Sequence, residues 1–245
     1  METIGNESKA KRFGKAAIDI VSFAALAVII ITIISVPFAT VLLKLGKEEA
    51  DTMSYFILSE TLMLAGVFLS AWIVWHLRGF SLEGLGRSLT MRWKDWLSGI
   101  LLATVLYAVG FGISLWAGAV EIAGVAFNPS SLLISLVFFL LVAVTEELAL
   151  RGFVLERLLQ SGVNKFCALF LSAALFSLIH IGNPNFDFLS FINILLAGIL
   201  LGSSYIYTRN LCFPIALHWF WNWIQGPVLG LSLIHISEPT RLALI

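Results

Sequence analysis

The sequence predicts an all-α protein, a polytopic transmembrane helical bundle of about seven membrane-spanning helices. Three observations carry this. Hydrophobic residues make up 59% of the 245 and charged residues 12%, about half the ~25% usual in globular proteins. Mean hydropathy is +0.96, which implies more apolar surface than a soluble fold of this size can hide. The few charges gather between long uncharged runs, with no strand-like alternation and no internal repeat.

A spanning helix needs roughly 20 apolar residues. Segments of that kind run over 18–43, 54–77, 96–120, 130–150, 165–180, 188–207 and 211–231. The first opens near Asp19 and contains Pro37, which membrane helices tolerate with a kink. It is too long for a signal peptide and has no small-residue cleavage site, so it is expected to be a retained helix. Gly110 to Gly118 in the third segment and Gly198 with Gly202 in the sixth suit close helix contact. Ser161-Gly162 marks the turn between the fourth and fifth. Asn193, inside the sixth, is expected in an interhelical hydrogen bond.

The expected organisation is two N-terminal spans and a cytoplasmic loop over 1–95, a core over 96–231 and a tail over 232–245. The tail mixes polar and apolar residues without a period and is broken by Pro239. Its beginning resembles a translated sequencing adapter, so the tail is expected to be non-native. His235 and Glu238 are set aside on that ground.

Lys and Arg in short loops set orientation. Lys9, Lys11, Arg12 and Lys15 precede the first span, and Arg78, Arg87, Arg92 and Lys94 follow the second. Arg151, Arg157 and Lys165 follow the fourth, and Arg209 follows the sixth. The alternate loops carry Lys44 and Lys47 beside acids, then Glu121, then Asp187. The N-terminus is therefore expected in the cytoplasm and the C-terminus outside. Fifteen basic and fifteen acidic residues cancel, so no nucleic-acid partner is implied. Cys167 and Cys212 have neither zinc-ligand spacing nor a disulfide framework.

Ionisable groups inside apolar spans are costly and mark functional sites by default. Three short motifs hold them: Glu146-Glu147-Leu-Ala-Leu-Arg151, Phe176-Ser-Leu-Ile-His180 and His218-Trp-Phe-Trp-Asn222. Adjacent helical residues point about 100° apart, so Glu146 and Glu147 cannot share one target. Glu147 and Arg151 at i,i+4, acid first, suit an ion pair, which frees Glu146. Phe176 with His180, and His218 with Asn222, likewise share faces. Glu146 and His180 lie at similar depth, roughly 24–27 Å from the turn at Gly162. His218 reaches them only if the hairpin of the fourth and fifth helices projects into the cytoplasm. A carboxylate and a histidine in an apolar cavity activate water, and a second His with an Asn can stabilise an oxyanion. This equipment reads as hydrolysis of an acyl bond, most naturally a peptide.

The three ordered motifs, Glu-Glu-x-x-x-Arg, Phe-x-x-x-His and His-x-x-x-Asn, resemble those of the CPBP family of intramembrane proteases. That family includes the type II CAAX prenyl endopeptidases and the bacteriocin-processing, Abi-like proteins. The resemblance covers about residues 96–231. It implies that Glu146 and His180 activate water and that His218 and Asn222 form the oxyanion site. Glu147, Arg151 and Phe176 would support the geometry. The expected activity is that of an intramembrane endopeptidase cutting near the cytoplasmic face. The alternative is a non-catalytic membrane partner, immunity factor or regulator of the same fold. The expected partners are the lipid bilayer and a membrane-associated peptide or protein. No cofactor is expected. One Zn²⁺ ion is the alternative, although no local signature such as His-Glu-x-x-His is present. The short chain with brief loops looks like the bacterial members, in the plasma membrane.

Overall fold

The computed structural model describes residues 8–45, 53–79, 90–125, 128–184, 186–230 and 241–244. Lys47, Arg87 and residues 231–240, with His235 and Glu238, lie outside the described residues. Among those described, seven helices follow one another: α1 (Lys9–Leu45), α2 (Met53–Arg78), α3 (Trp93–Trp116), α4 (Pro129–Gln160), α5 (Lys165–Ile179), α6 (Phe188–Thr208) and α7 (Cys212–Trp223). Each coincides with one predicted segment. Five of them, α1, α2, α3, α4 and α6, are long and apolar enough to cross a membrane. α5 and α7 are shorter. Beyond the helices, β1 (Glu121–Val125) pairs in parallel with β2 (Arg241–Leu244), Glu121 opposite Arg241.

Local chemistry sets the ends. Asn128 caps α4 by accepting from the Ser131 N–H, with Pro129 in the first turn, where its missing donor costs nothing. Asn164 and Asp187 cap α5 and α6 by accepting from the Phe166 and Ser190 N–H groups. The Ser190 N–H and hydroxyl also hold the exposed Asp187 carboxyl below the usual carboxylate range. Arg209 stops α6 in the left-handed conformation, at φ 51°.

The helix α4 departs from regularity just after the Glu146-Glu147 pair. Pro129–Glu147 is α-helical, Leu148–Leu155 widens into a π-helix, and Glu156–Gln160 returns to α. The Ser172 hydroxyl donates to the Leu150 carbonyl inside this wide stretch, tying α5 to it. At 1.5 Å per residue α4 would measure about 48 Å, well beyond the ~30 Å hydrocarbon layer. Its length agrees with a hairpin that projects from the bilayer.

Packing brings α7 against α3 and α4, α6 against α5, and α2 against α1 and α4. Two glycines permit close approach. A Cβ on Gly99 would fall 2.7 Å from the Phe213 carbonyl oxygen of α7, and one on Gly198 would fall 3.0 Å from Ala173 of α5. Gly202 also faces α5, at Leu169. Gly110 and Gly118, expected in a helix contact, have nothing within 4 Å of a built Cβ; the close contact of α3 is made one end earlier, at Gly99. Asn193, expected in an interhelical bond, is exposed, because α6 turns its Gly198–Gly202 stripe inward instead.

Trp219 and Trp223 donate their indole N–H groups to the Leu136 and Leu132 carbonyls of α4, at 2.8 and 3.1 Å. The order reverses along the two chains, as antiparallel helices require. Asp19, only 1% exposed, accepts from Arg78 Nε and an Arg157 terminal nitrogen, both at 2.7 Å. It thereby joins α1, α2 and α4 at one end of the bundle. Glu156 does the same for α4 and α6, accepting from the Tyr205 hydroxyl at 3.0 Å and from Arg209 at 2.9 Å.

Candidate active site

The candidate side chains come from three helices. Glu146 and Glu147 close the α-helical part of α4, His180 ends α5, and His218 sits in the second turn of α7. Three elements place them at one point. Glu146 Oε2 lies 3.9 Å from His180 Nε2 and 3.8 Å from His218 Nε2. These separations are too long for hydrogen bonds, and Glu146 Oε2 is buried without a partner among the described residues. An unpaired buried carboxylate oxygen is expensive, so this atom faces a place meant for something else.

Each imidazole is oriented from its other nitrogen. His180 Nδ1 lies 2.7 Å from the Phe176 carbonyl oxygen. A carbonyl only accepts, so Nδ1 carries a proton, and the neutral ring has its lone pair at Nε2, towards Glu146. His218 Nδ1 lies 2.9 Å from Glu147 Oε1 and donates to that carboxylate. The same oxygen accepts from Arg151 at 2.6 Å. Glu147 and Arg151 are both 0% exposed. Burying two full charges is tolerated only when they are paired and their remaining donors used. Arg151 meets this condition in part, with a second bond to the Gly198 carbonyl at 3.2 Å, while its Nε and Glu147 Oε2 are buried without a partner among the described residues. Its guanidinium also lies 4.5 Å from the Phe176 ring centroid.

Phe176 is the wedge between these groups. Its ring meets His180 edge-on at 4.8 Å and His218 at 5.8 Å between centroids. Asn222 follows His218 by one turn on the same face of α7. It is half-buried and makes no side-chain hydrogen bond among the described residues. The structure thus brings Glu146, His180, His218, Glu147, Arg151 and Phe176 into one contact network, with Asn222 one turn away. Glu147 leans towards Arg151 as expected, and additionally holds His218.

An apolar cavity of about 380 Å³ between α3 and the end of α7 is lined by Tyr107, Phe111, Phe220 and Trp223 among others. It includes none of the three convergent groups. Helical geometry turns Phe220 and Trp223 away from the His218 face, so the cavity is separate from the reaction centre.

Zinc can be tested against the donor set. Ligand atoms on one tetrahedral zinc stand roughly 3.3–3.4 Å apart, given bonds of about 2.0–2.1 Å. Glu146 Oε2 stands 3.8 and 3.9 Å from the two nitrogens. Among the described residues no group of three or more His, Cys, Asp or Glu has the arrangement of a metal site. The donors therefore do not fit a zinc ion as they stand.

One further buried acid of the spans lies outside the motifs. Glu60, in the apolar run of α2, is 8% exposed and lies near Thr145 and Glu146. Its signal in the sequence is plain: an acid inside a span, subject to the same cost as the others.

Residues 128–224 match the family model described as type II CAAX prenyl endopeptidase Rce1-like. The matched segment runs from the cap of α4 to the end of α7 and contains all seven motif residues. It agrees with the family resemblance that the motifs carry. No curated protein and no solved structure matches the chain. Five helices of crossing length and a match to this family of membrane proteases make the chain an integral membrane protein.

Proposed function

We propose that this protein is an intramembrane endopeptidase in which Glu146 and His180 activate a water without a metal. The observation that carries the reading is the bare Glu146 Oε2, 3.9 Å from a histidine nitrogen whose lone pair faces it. A water at about 2.8 Å from both atoms would give one proton to each, at an angle of about 90°. Its own lone pair would then point away from both, towards a substrate carbonyl. Glu146 takes the proton as hydroxide adds to the peptide carbon, and later returns it to the leaving amine.

The oxyanion formed in that step needs donors. Asn222 offers its amide N–H. His218 already donates from Nδ1 to Glu147, so to donate from Nε2 it must carry both ring protons. With His218 so charged, Glu146, Glu147, Arg151 and His218 sum to zero, which suits a site away from water. Asn222 and His218 are thus the electrostatic half of the site, and Glu146 with His180 the proton-transfer half.

The N-terminus faces the cytoplasm of a bacterial cell in this reading, and cleavage falls near the cytoplasmic membrane boundary. The Lys and Arg residues at the ends of α1, α2 and α4 support the orientation. The test is cleavage of a fluorogenic farnesylated CAAX peptide, and of its unprenylated counterpart, by detergent-purified protein. Cleavage of either peptide that disappears in Glu146→Gln is the expected result. Equal cleavage by Glu146→Gln, or none by the wild type with either peptide, would overturn the assignment for this substrate class.

A further inference from the structure

Two amide side chains follow His218, Asn222 on α7 and Gln225 on the wide turn Ile224–Val228 that continues it. Gln225 and its partner, Tyr107 of α3, both lie outside the segment that the family model matches. The Tyr107 hydroxyl donates to Gln225 Oε1 at 2.7 Å, and its ring stands edge-on to Trp221 at 5.1 Å. α3 and α7 run in the same direction here, since Gly99 meets Phe213 and Leu217 while Tyr107 meets Trp221 and Gln225. The depths agree: Tyr107 and Gln225 stand roughly 21 and 20 Å along from Trp93 and Cys212, at 1.5 Å per residue. Thr104 and Ser114 of α3 return their hydroxyl protons to their own helix, whereas Tyr107 reaches across. Its bond to Oε1 also decides which end of the amide is held. The nitrogen end of Gln225, with two protons to give, makes no hydrogen bond among the described residues.

A regular continuation of α7 would put Gln225 within about 20° of His218 around the axis. A π turn advances each residue by less, so Gln225 falls back towards Trp221, where Tyr107 meets both. It therefore borders the His218–Asn222 face on the side of α3. A peptide bond inside a helix is shielded by its own hydrogen bonds, so a substrate at Glu146 must be extended around the bond to be cut. Each backbone carbonyl released in this way costs several kcal/mol in apolar surroundings unless a donor meets it. Carbonyls on one side of an extended chain recur about every 6.7 Å, and side chains three apart on a helix start about 5–6 Å apart. Asn222 and Gln225 thus match two successive carbonyls on the same side. We propose that Gln225 is a substrate-binding residue, its amide N–H donating to the backbone carbonyl two residues from the scissile one, and that Tyr107 positions it. Tyr107 acts through Gln225 alone, by turning the nitrogen end of the amide away from α3. The inference rests on the peptidase reading of the site and adds its ligand: an unwound stretch of peptide backbone.

Binding is read apart from cleavage in the Glu146→Gln background, by fluorescence anisotropy of a labelled farnesylated CAAX peptide with detergent-purified protein. Adding Gln225→Ala should weaken binding about tenfold, the loss of roughly one hydrogen bond. Tyr107→Phe should weaken it about threefold, and the two together no more than Gln225→Ala alone. In the active enzyme both substitutions should act on KM, whereas Asn222→Ala acts on kcat, because a carbonyl remote from the reacting carbon is bound alike in ground and transition states. A second arm leaves the protein as it is. Turning the peptide amide that carries the carbonyl two residues from the scissile one into an ester, on each side in turn, weakens that acceptor. One of the two esters should bind less tightly than the amide, and the Gln225→Ala protein should not tell that pair apart. Variants that unfold earlier on heating yet bind the peptide as tightly as their parent would overturn the proposal, leaving Tyr107 and Gln225 a strut between α3 and α7. Two esters bound as tightly as the amide, or a peptide that does not bind at all, would overturn it as well. A peptide held through Gln225 but left intact by the wild type would count against the peptidase reading alone.

Discussion

Glu147 and His218, 71 residues apart, meet at 2.9 Å in a fully buried contact. The relationship changes how the second acid of the Glu-Glu pair is understood. It neutralises Arg151 and at the same time fixes which nitrogen of His218 points at Glu146. One carboxylate oxygen does both.

The two duties can be separated. Glu147→Gln leaves the Arg151 charge buried without its counter-charge, and should cost about 3–5 kcal/mol of stability. Pairing it with Arg151→Met removes the stranded charge and should restore much of that loss. Peptidase activity should stay low in the double variant, because the acceptor beside His218 Nδ1 has lost its negative charge. Unfolding in mixed micelles and peptide cleavage, measured on the same preparations, check both halves.

Asn222→Ala should reduce kcat by about 10²–10³, the usual effect of one lost oxyanion donor. KM should change little, since the developing charge exists only in the transition state. His218→Ala should fall in the same range or lower, as it also strips Glu147 of one of its two donors. Steady-state kinetics with the CAAX peptide would show a different ranking if His218 were the base.

Full activity is expected after exhaustive chelation and in preparations with no stoichiometric metal by elemental analysis. Were zinc held by Glu146, His180 and His218, each of the three alanine variants would lose metal and activity together. Activity that vanishes on chelation and returns with Zn²⁺ would reverse the metal-free reading.

Topology can be read with single cysteines in a background lacking Cys167 and Cys212. Cysteines at Ser8 and Asn164 should resist an impermeant thiol reagent in intact cells. One at Ala117, just past the end of α3, should react. The opposite pattern would invert the bundle and move the site to the outer face.

Much of this was legible before any coordinates, and the reasons are particular. Each of the seven apolar segments corresponds to a helix, because hydropathy reports burial in lipid regardless of partners. Glu146 and His180 are matched by depth, since rise per residue is constant, whereas His218 joins them only on the condition that the hairpin projects. The π-helix over 148–155 leaves no trace in residue type, because it changes hydrogen-bond register and not composition. Asp19 reads as the start of a span, while its two arginine partners lie 59 and 138 residues away, beyond the reach of local pattern. Glu60 shows the reverse case: its signal is present, but it belongs to no motif and only the fold reveals what it faces. The tryptophans of α7 suggest an interfacial belt by composition, whereas two of them donate to carbonyls of α4.

Those two indole bonds have a further consequence. Leu132 and Leu136 are four residues apart, as are Trp219 and Trp223, so the pairs work as a two-tooth key. Sliding α7 along α4 by one turn would shift it about 5.4 Å and could at best re-engage a single tooth. That step exceeds the 3.8 Å between Glu146 and His218, so it would carry the imidazole past the carboxylate altogether. The distance between the proposed base and the proposed oxyanion donor is thus keyed by two side chains outside the proposed chemistry. In the proposed peptidase, a motion that admits a substrate is expected to pivot around this joint.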